Sequence, residues 1–138
     1  MSATAKQHAT SSATVLLVDG DVVARLVIAE YLRHCGYKVI EAATTEEALV
    51  VFERSPVEID VLLADANASG SMNGFELAQW VRRHRSSVDV LLVGTVNAAA
   101  GAARDICDEG PLRKPYEPQA LLDRIKLLKA ARAARLKK

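Results

Sequence analysis

Residues 14–21 read TVLLVDGD, an apolar run that ends abruptly in two carboxylates held apart by a glycine. A run of β-branched and aliphatic residues with no polar alternation marks a strand buried on both faces. Acids delivered to the carboxyl end of such a strand ordinarily serve a cation or a phosphoryl group. Working outward, short apolar runs recur at 38–42, 61–64 and 88–93, separated by segments of helical length and period. This alternation is the pattern of a parallel sheet. Crossovers between parallel strands are right-handed, and strands this apolar need helices on both faces. The expected fold is therefore α/β, a doubly wound sandwich whose ligands bind at the carboxyl ends of the strands.

The intervening segments carry their own signals. Val22, Val23, Leu26, Val27, Glu30 and Tyr31 follow helical spacing, and Cys35-Gly36 closes that helix with a left-handed glycine. The next helix opens at Thr44 or Thr45, with Glu47 placed for a capping box and Ala48, Leu49 and Phe52 turned inward; Pro56 ends it. A third, about 75–84, sets Leu77, Ala78, Trp80 and Val81 against Arg82, Arg83 and Arg85. The alanine-rich stretch after the fourth run offers little beyond Ile106 as an anchor, so a loosely docked helix is expected there. A very short fifth strand is expected at Leu112-Arg113. A long last helix should start near Pro118, with Leu121, Leu122, Ile125 and Leu128 as its buried stripe.

Composition sets the bounds. At 138 residues, half of them hydrophobic and a quarter charged, the chain fits one ordinary globular domain. No apolar run approaches the roughly 18 residues of a membrane span. Residues 1–13 are small and polar with no apolar signal core, which reads as a disordered leader and makes the cytoplasm the default setting. Cys35 and Cys107 lack CxxC or zinc spacing and are expected as free structural thiols. His8, His34 and His84 show no ligand spacing. The net charge of +1 is unevenly placed: residues 119–138 carry seven Lys and Arg against one acid, while the rest carries 11 against 16. Without interleaved aromatics, the basic extension at 129–138 suits a solvated face, an acidic protein partner or a second copy of the chain better than nucleic acid.

Chemistry concentrates at strand ends. Asp19 and Asp21 follow the first strand, Asp65 the third and Lys114 the expected fifth. Carboxylates grouped beside one ammonium can hold Mg²⁺, offer a nucleophile and neutralise a transferred phosphoryl group. Each residue alone also has a plainer reading, as a helix cap or the start of a turn. Their joint placement favours one shared site.

The segments VLLVDGD, then Arg25 six residues after Asp19, GYKVIEAATTEEAL, DVLLADANASGSMNGFELAQWVR and LRKPYEPQALLDRI, in that order, resemble a response-regulator receiver domain of two-component signalling. The resemblance covers about residues 14–128. It implies a flavodoxin-like (βα)5 fold with a five-stranded parallel sheet of order 2-1-3-4-5. It also implies a stand-alone, non-enzymatic signalling module that takes a phosphoryl group on Asp65 from a sensor histidine kinase or phosphotransfer protein. Residue by residue, Asp19, Asp65 and the backbone carbonyl of Asn67 fall at Mg²⁺ ligands, and Lys114 falls at the phosphate contact. Output would pass to a protein partner through the last two helices.

Departures from the family pattern are equally specific. Gly20 replaces the second acidic ligand, so Mg²⁺ should bind weakly, with Asp21 as a substitute ligand that competes with helix capping. Gly94 stands where relatives carry a switch hydroxyl, leaving Thr95 beside it as the candidate, and Pro111 stands where relatives carry a reporter aromatic. Ala68, Ser69 and Asn73 alter the loop after Asp65. These losses keep open an alternative, a degenerate pseudo-receiver that works as a phosphorylation-independent interaction module. Asp19-Gly20-Asp21-Val22-Val23 also resembles the nucleophile motif of haloacid-dehalogenase-like phosphatases, with Asp19 attacking, Asp21 as the acid and Thr95 and Lys114 as later members. That reading leaves Asp65 without a task, and only Glu117 and Asp123 follow the lysine.

Overall fold

The opening run, Thr14–Val18, forms a strand (β1) buried along its whole length. In the computed structural model, which describes residues 13–112, 115–116 and 118–136, it lies inside a parallel sheet. After β1 come α1 (Val22–His34), β2 (Lys38–Ala42), α2 (Thr45–Arg54), β3 (Val61–Asp65), α3 (Gly74–His84), β4 (Asp89–Val93), α4 (Val96–Asp108) and α5 (Pro118–Leu136). The strand order among the described residues is β2-β1-β3-β4, with Leu16 opposite both Ile40 and Leu62, and Leu63 opposite Leu91. The α/β class expected from the sequence is what the chain adopts. Most of the leader expected at 1–13 lies outside the described residues, and no described helix is long and apolar enough to cross a membrane.

Successive strand residues point to opposite faces, and the two faces have separate cores. Val15, Leu17 and Leu63 pack with α1, α4 and α5, while Leu16, Val18, Leu62 and Ala64 pack with α2 and α3. Because α4 and α5 both lie against α1, that helix buries a broad stripe of Ala24, Val27, Ile28, Ala29, Tyr31 and Leu32. Leu26 stands off that stripe and is 52% exposed. In α5, Leu121, Leu122 and Ile125 are buried as expected, whereas Leu128 is 37% exposed.

Two expectations are corrected together. Cys35 and Cys107 are joined in a disulfide, with Cα atoms 5.4 Å apart, rather than being free thiols. Separated by 72 residues in sequence, they meet because both α1 and α4 end at the same edge of the same layer. Nor is α4 a loosely held helix. It buries Ala99, Ala100, Ala103, Ile106 and Cys107, and small side chains allow the close interhelical approach that the covalent link then fixes.

Among the described residues the sheet has four strands rather than the five expected. Leu112 donates its backbone N–H to the Cys35 carbonyl at 3.1 Å instead of extending the β4 edge, and Arg113 lies outside the described residues. Gly36 makes this passage feasible. It has φ +101°, and a β-carbon there would stand 2.5 Å from Pro111 Cγ. Tyr116 then packs edge-on against Tyr31, with ring centroids 5.1 Å apart, so the chain enters α5 beside the C-terminal half of α1.

Candidate functional site

The site is built at the carboxyl ends of β1, β3 and β4. β1 ends at Val18, and Asp19 follows, only 9% exposed. One carboxylate oxygen of Asp19 accepts the Asp21 N–H at 2.8 Å, while Arg25 reaches back from α1 to hold the Asp19 carbonyl at 2.9 Å. Arg25 also pairs with Glu41 at 3.2 Å, so its guanidinium braces the turn from the side opposite the cavity. Asp21 is the N-cap of α1: its Oδ1 accepts the Ala24 N–H at 3.0 Å. Its Oδ2 meets Lys129 Nζ at 2.6 Å.

Asp65 is the last residue of β3, and its Oδ1 accepts the Asn67 N–H at 3.0 Å, fixing the carboxylate at the head of a tight turn. The turn is held close to the third helix by a glycine. A β-carbon at Gly74 would lie 1.8 Å from the Asp65 carbonyl oxygen, so only glycine lets α3 begin there. Asn73 and Glu76 form a reciprocal capping box that starts the helix one residue later. On the β4 side, Gly94 has open space around it, and Thr95 caps α4 by accepting the Ala98 N–H at 3.1 Å. The Thr95 oxygen is thereby engaged while its hydroxyl proton remains able to donate.

These residues line one cavity of about 260 Å³ that contains Asp19, Asp21, Asp65, Asn67 and Thr95, with Lys129 at its edge. Lys114, expected here from the sequence, lies outside the described residues. Lys129 is the residue that sequence reading missed, because it begins the basic extension taken as a solvated face. The signal was present in the spacing. Lys129 follows Leu122 and Ile125 at helical intervals, which puts it in line with the side of α5 that faces α1, at the stripe's exposed end.

Electrostatics follow from this packing. Burial raises the Asp19 carboxyl above its ordinary value, against the Asp21 N–H that favours the charged form, and the charges of Asp65 and Asp21 add to the rise. For Asp21, burial also acts upward, but the Lys129 ammonium and the Ala24 N–H outweigh it and hold the carboxyl below its ordinary value. Among the described residues no three His, Cys, Asp or Glu side chains are grouped to hold a metal alone. The cavity instead offers the carboxylates of Asp19 and Asp65 beside Asp21, whose oxygens are already engaged. It fits a hard cation such as Mg²⁺ that keeps several of its waters.

Comparison with known proteins shows the family. Residues 15–126 match the family described as the response regulator receiver domain. The phosphate regulon transcriptional regulatory protein PhoB of Pseudomonas aeruginosa is 30% identical over 120 residues, covering 82% of this chain and 50% of that protein. The transcriptional regulatory protein GltR of the same organism is 30% identical over 122 residues, 83% of this chain and 48% of its own. The chain thus spans about half the length of these curated relatives. Among solved structures, a response regulator receiver domain protein from Clostridium thermocellum superposes with a TM-score of 0.56 at 21% identity, over 91% of this chain and 99% of that one.

Proposed function

The chain belongs to the response regulator receiver family of two-component signalling, and from that premise we propose that Asp65 accepts a phosphoryl group from a phosphohistidine. The observation that carries the reading is the one cavity in which Asp65 heads a fixed turn beside the buried Asp19, the exposed Asn67 and Thr95, and an ammonium. One Asp65 oxygen attacks phosphorus. The P–O bond forms as the P–N bond breaks, and the leaving imidazole nitrogen keeps the electron pair and takes up a proton. Such a transfer asks little of the protein beyond positioning and charge neutralisation. Asp19, Asp65 and the Asn67 carbonyl would hold Mg²⁺, which when bound neutralises charge on the transferring oxygens; Asp21 is a weaker candidate ligand because both its oxygens are engaged. Thr95 would donate its hydroxyl to the phosphoryl group, and Lys114 carries the phosphate contact on resemblance alone.

Receiver domains as a family signal rather than catalyse turnover, and they meet histidine kinases or phosphotransfer proteins and effectors. The partner here is proposed to dock on the last two helices, in the cytoplasm, with the Cys35–Cys107 pair shielded from reductants by burial at 0% and 2% exposure. A phosphorylation-independent module remains the second reading, favoured by the glycines at 20 and 94 and by the engagement of Asp21 with Lys129. Amide NMR during addition of Mg²⁺ and then beryllofluoride separates the two. Saturating shifts around Asp65, Gly94 and Thr95 that require both additions support phosphoacceptance; unmoved resonances at millimolar additions support the second reading.

A further inference from the structure

The last helix runs along α1 in the opposite direction, with Tyr116 on Tyr31, Arg124 paired to Glu30 at 2.6 Å and Lys129 paired to Asp21 at 2.6 Å. It therefore starts at the foot of α1 and carries its basic end up to the carboxyl ends of the strands. Its buried residues stop at Ile125, and every described residue beyond is exposed. Among the described residues, Lys129 and Asp21 form the ion pair that ties this extension to the body of the protein. The pair also separates two spaces. Both residues line the cavity of about 260 Å³ that holds Asp19 and Asp65, and both line a groove of about 300 Å³ between Gly20, Val22 and Val23 on one side and Arg132, Ala133 and Leu136 on the other.

We infer that a divalent cation entering the cavity competes with Lys129 for the outer oxygen of Asp21, so that loading the site unfastens the C-terminal extension. This rests on the cation site of the phosphoacceptor reading and deepens it by giving that site a latch. Asp21 Oδ1 is committed to the Ala24 N–H at 3.0 Å, where it caps α1, and Oδ2 is the oxygen that Lys129 holds. With glycine at 20, Asp21 is the next carboxylate along the chain, and it lines the same cavity as Asp19 and Asp65. The charges of Asp21 and Asp65 both act on the Asp19 carboxyl, so the three acids form one electrostatic unit. A doubly charged ion among them attracts Oδ2 and repels the ammonium. Lys129 leaves easily, because its side chain is 46% exposed and an ion pair so exposed is weak. Capping survives the exchange, since Oδ1 takes no part in it. Residues 129–136 then lose a tether that burial does not replace, and they loosen. The coupling is reciprocal: whatever frees the extension beforehand tightens the cation by the same factor. The ion pair thus sets the affinity of the site from its outer wall and displays its occupancy on the basic extension.

Mg²⁺ titration of the full chain, followed by calorimetry and by backbone amide relaxation, tests this in the parent, Lys129→Gln and Asp21→Asn. Arg132→Gln serves as the charge control, since it removes a neighbouring cation of the same groove. In the parent, amides at 130–136 should gain fast motion as Mg²⁺ is added, in step with the shifts at Asp19 and Asp65. In Lys129→Gln and Asp21→Asn the extension should be loose from the start and indifferent to Mg²⁺. Lys129→Gln should bind Mg²⁺ about threefold tighter or more, the scale of one exposed ion pair. Asp21→Asn should bind it more weakly than the parent, and Arg132→Gln should stay close to the parent in affinity and in motion. Charge alone would shift affinity alike in Lys129→Gln and Arg132→Gln and leave the parent's extension unmoved. Amides at 130–136 that keep their order at saturating Mg²⁺, a Lys129→Gln affinity no tighter than that of Arg132→Gln, or an unchanged affinity in Asp21→Asn each overturn the latch while leaving the cation site in place. Failure of Mg²⁺ to move the Asp19 and Asp65 resonances in both the parent and Lys129→Gln overturns the latch and the cation site together.

Discussion

A β-carbon at Gly20 would meet nothing closer than the Ala43 carbonyl oxygen, at 3.6 Å. That is ordinary van der Waals contact, and the backbone at Gly20 is not left-handed. Glycine is therefore not required by the fold at the position where the family resemblance implies an acid. Gly20→Asp should fold, add a carboxylate beside Asp19 and tighten Mg²⁺ by roughly tenfold, the change that about 1.4 kcal/mol produces. Calorimetric titration with Mg²⁺ checks it. Affinity equal to that of the parent shows that the missing ligand does not limit the site.

The Gly94 position has the same openness, with no atom within 4 Å of an added β-carbon. Gly94→Ser should restore a hydroxyl that is not committed to capping, unlike Thr95, whose oxygen accepts the Ala98 N–H. Beryllofluoride should then bind several-fold tighter, on the scale of one added hydrogen bond of about 1 kcal/mol. If Thr95 already fills that role, Thr95→Ala weakens the analogue and Gly94→Ser leaves it unchanged.

The raised carboxyl of Asp19 has a stability consequence of definite sign. A group whose folded value lies above its unfolded value contributes stability that is present at low pH and lost as pH rises through the folded value. Ionised Asp19 thus works against the metal-free fold at neutral pH. Asp19→Asn retains an oxygen for the Asp21 N–H and removes the charge. Its melting temperature in chelator should exceed that of the parent by a few degrees at pH 7. The difference should shrink as pH falls toward about 3.9, the ordinary Asp value. Mg²⁺ should no longer stabilise the variant. A gain that is constant with pH rejects the electrostatic explanation.

The disulfide closes a loop across a sequence separation of 72 residues. Chain entropy alone assigns such a closure roughly 4 kcal/mol, with typical observed values of about 2–4 kcal/mol. Cys35→Ser with Cys107→Ser should lower stability by that order in denaturant unfolding. The non-reduced parent, unfolded in the presence of an alkylating reagent, should take up none. Uptake of two labels shows that the thiols are free.

How far the sequence could be read depends on whether a signal is local. The strand at 14–18, the left-handed Gly36, the Thr44 cap that accepts the Glu47 N–H at 3.2 Å and the buried Leu77 and Val81 of α3 were all legible, because each depends on nearest neighbours or a short period. The strand ends bearing Asp19 and Asp65 were legible for the same reason. What was not legible depends on which layer a helix joins. Nothing near Cys107 announces that α4 lies against α1, so the disulfide, the turning of Leu112 to Cys35 and the reversed approach of α5 were all out of reach. Lys129 followed the same fate. Its helical phase was visible, but its target was set by the direction of a helix that begins at the foot of α1.

The central claim is that Asp65 is the phosphoacceptor, and the most direct test is intact-mass spectrometry of the full chain after incubation with acetyl phosphate and Mg²⁺. The expected result is a single added phosphoryl group that maps to Asp65, requires Mg²⁺ and disappears in Asp65→Asn. No adduct in the parent under saturating donor, or an adduct that persists in Asp65→Asn, contradicts the account.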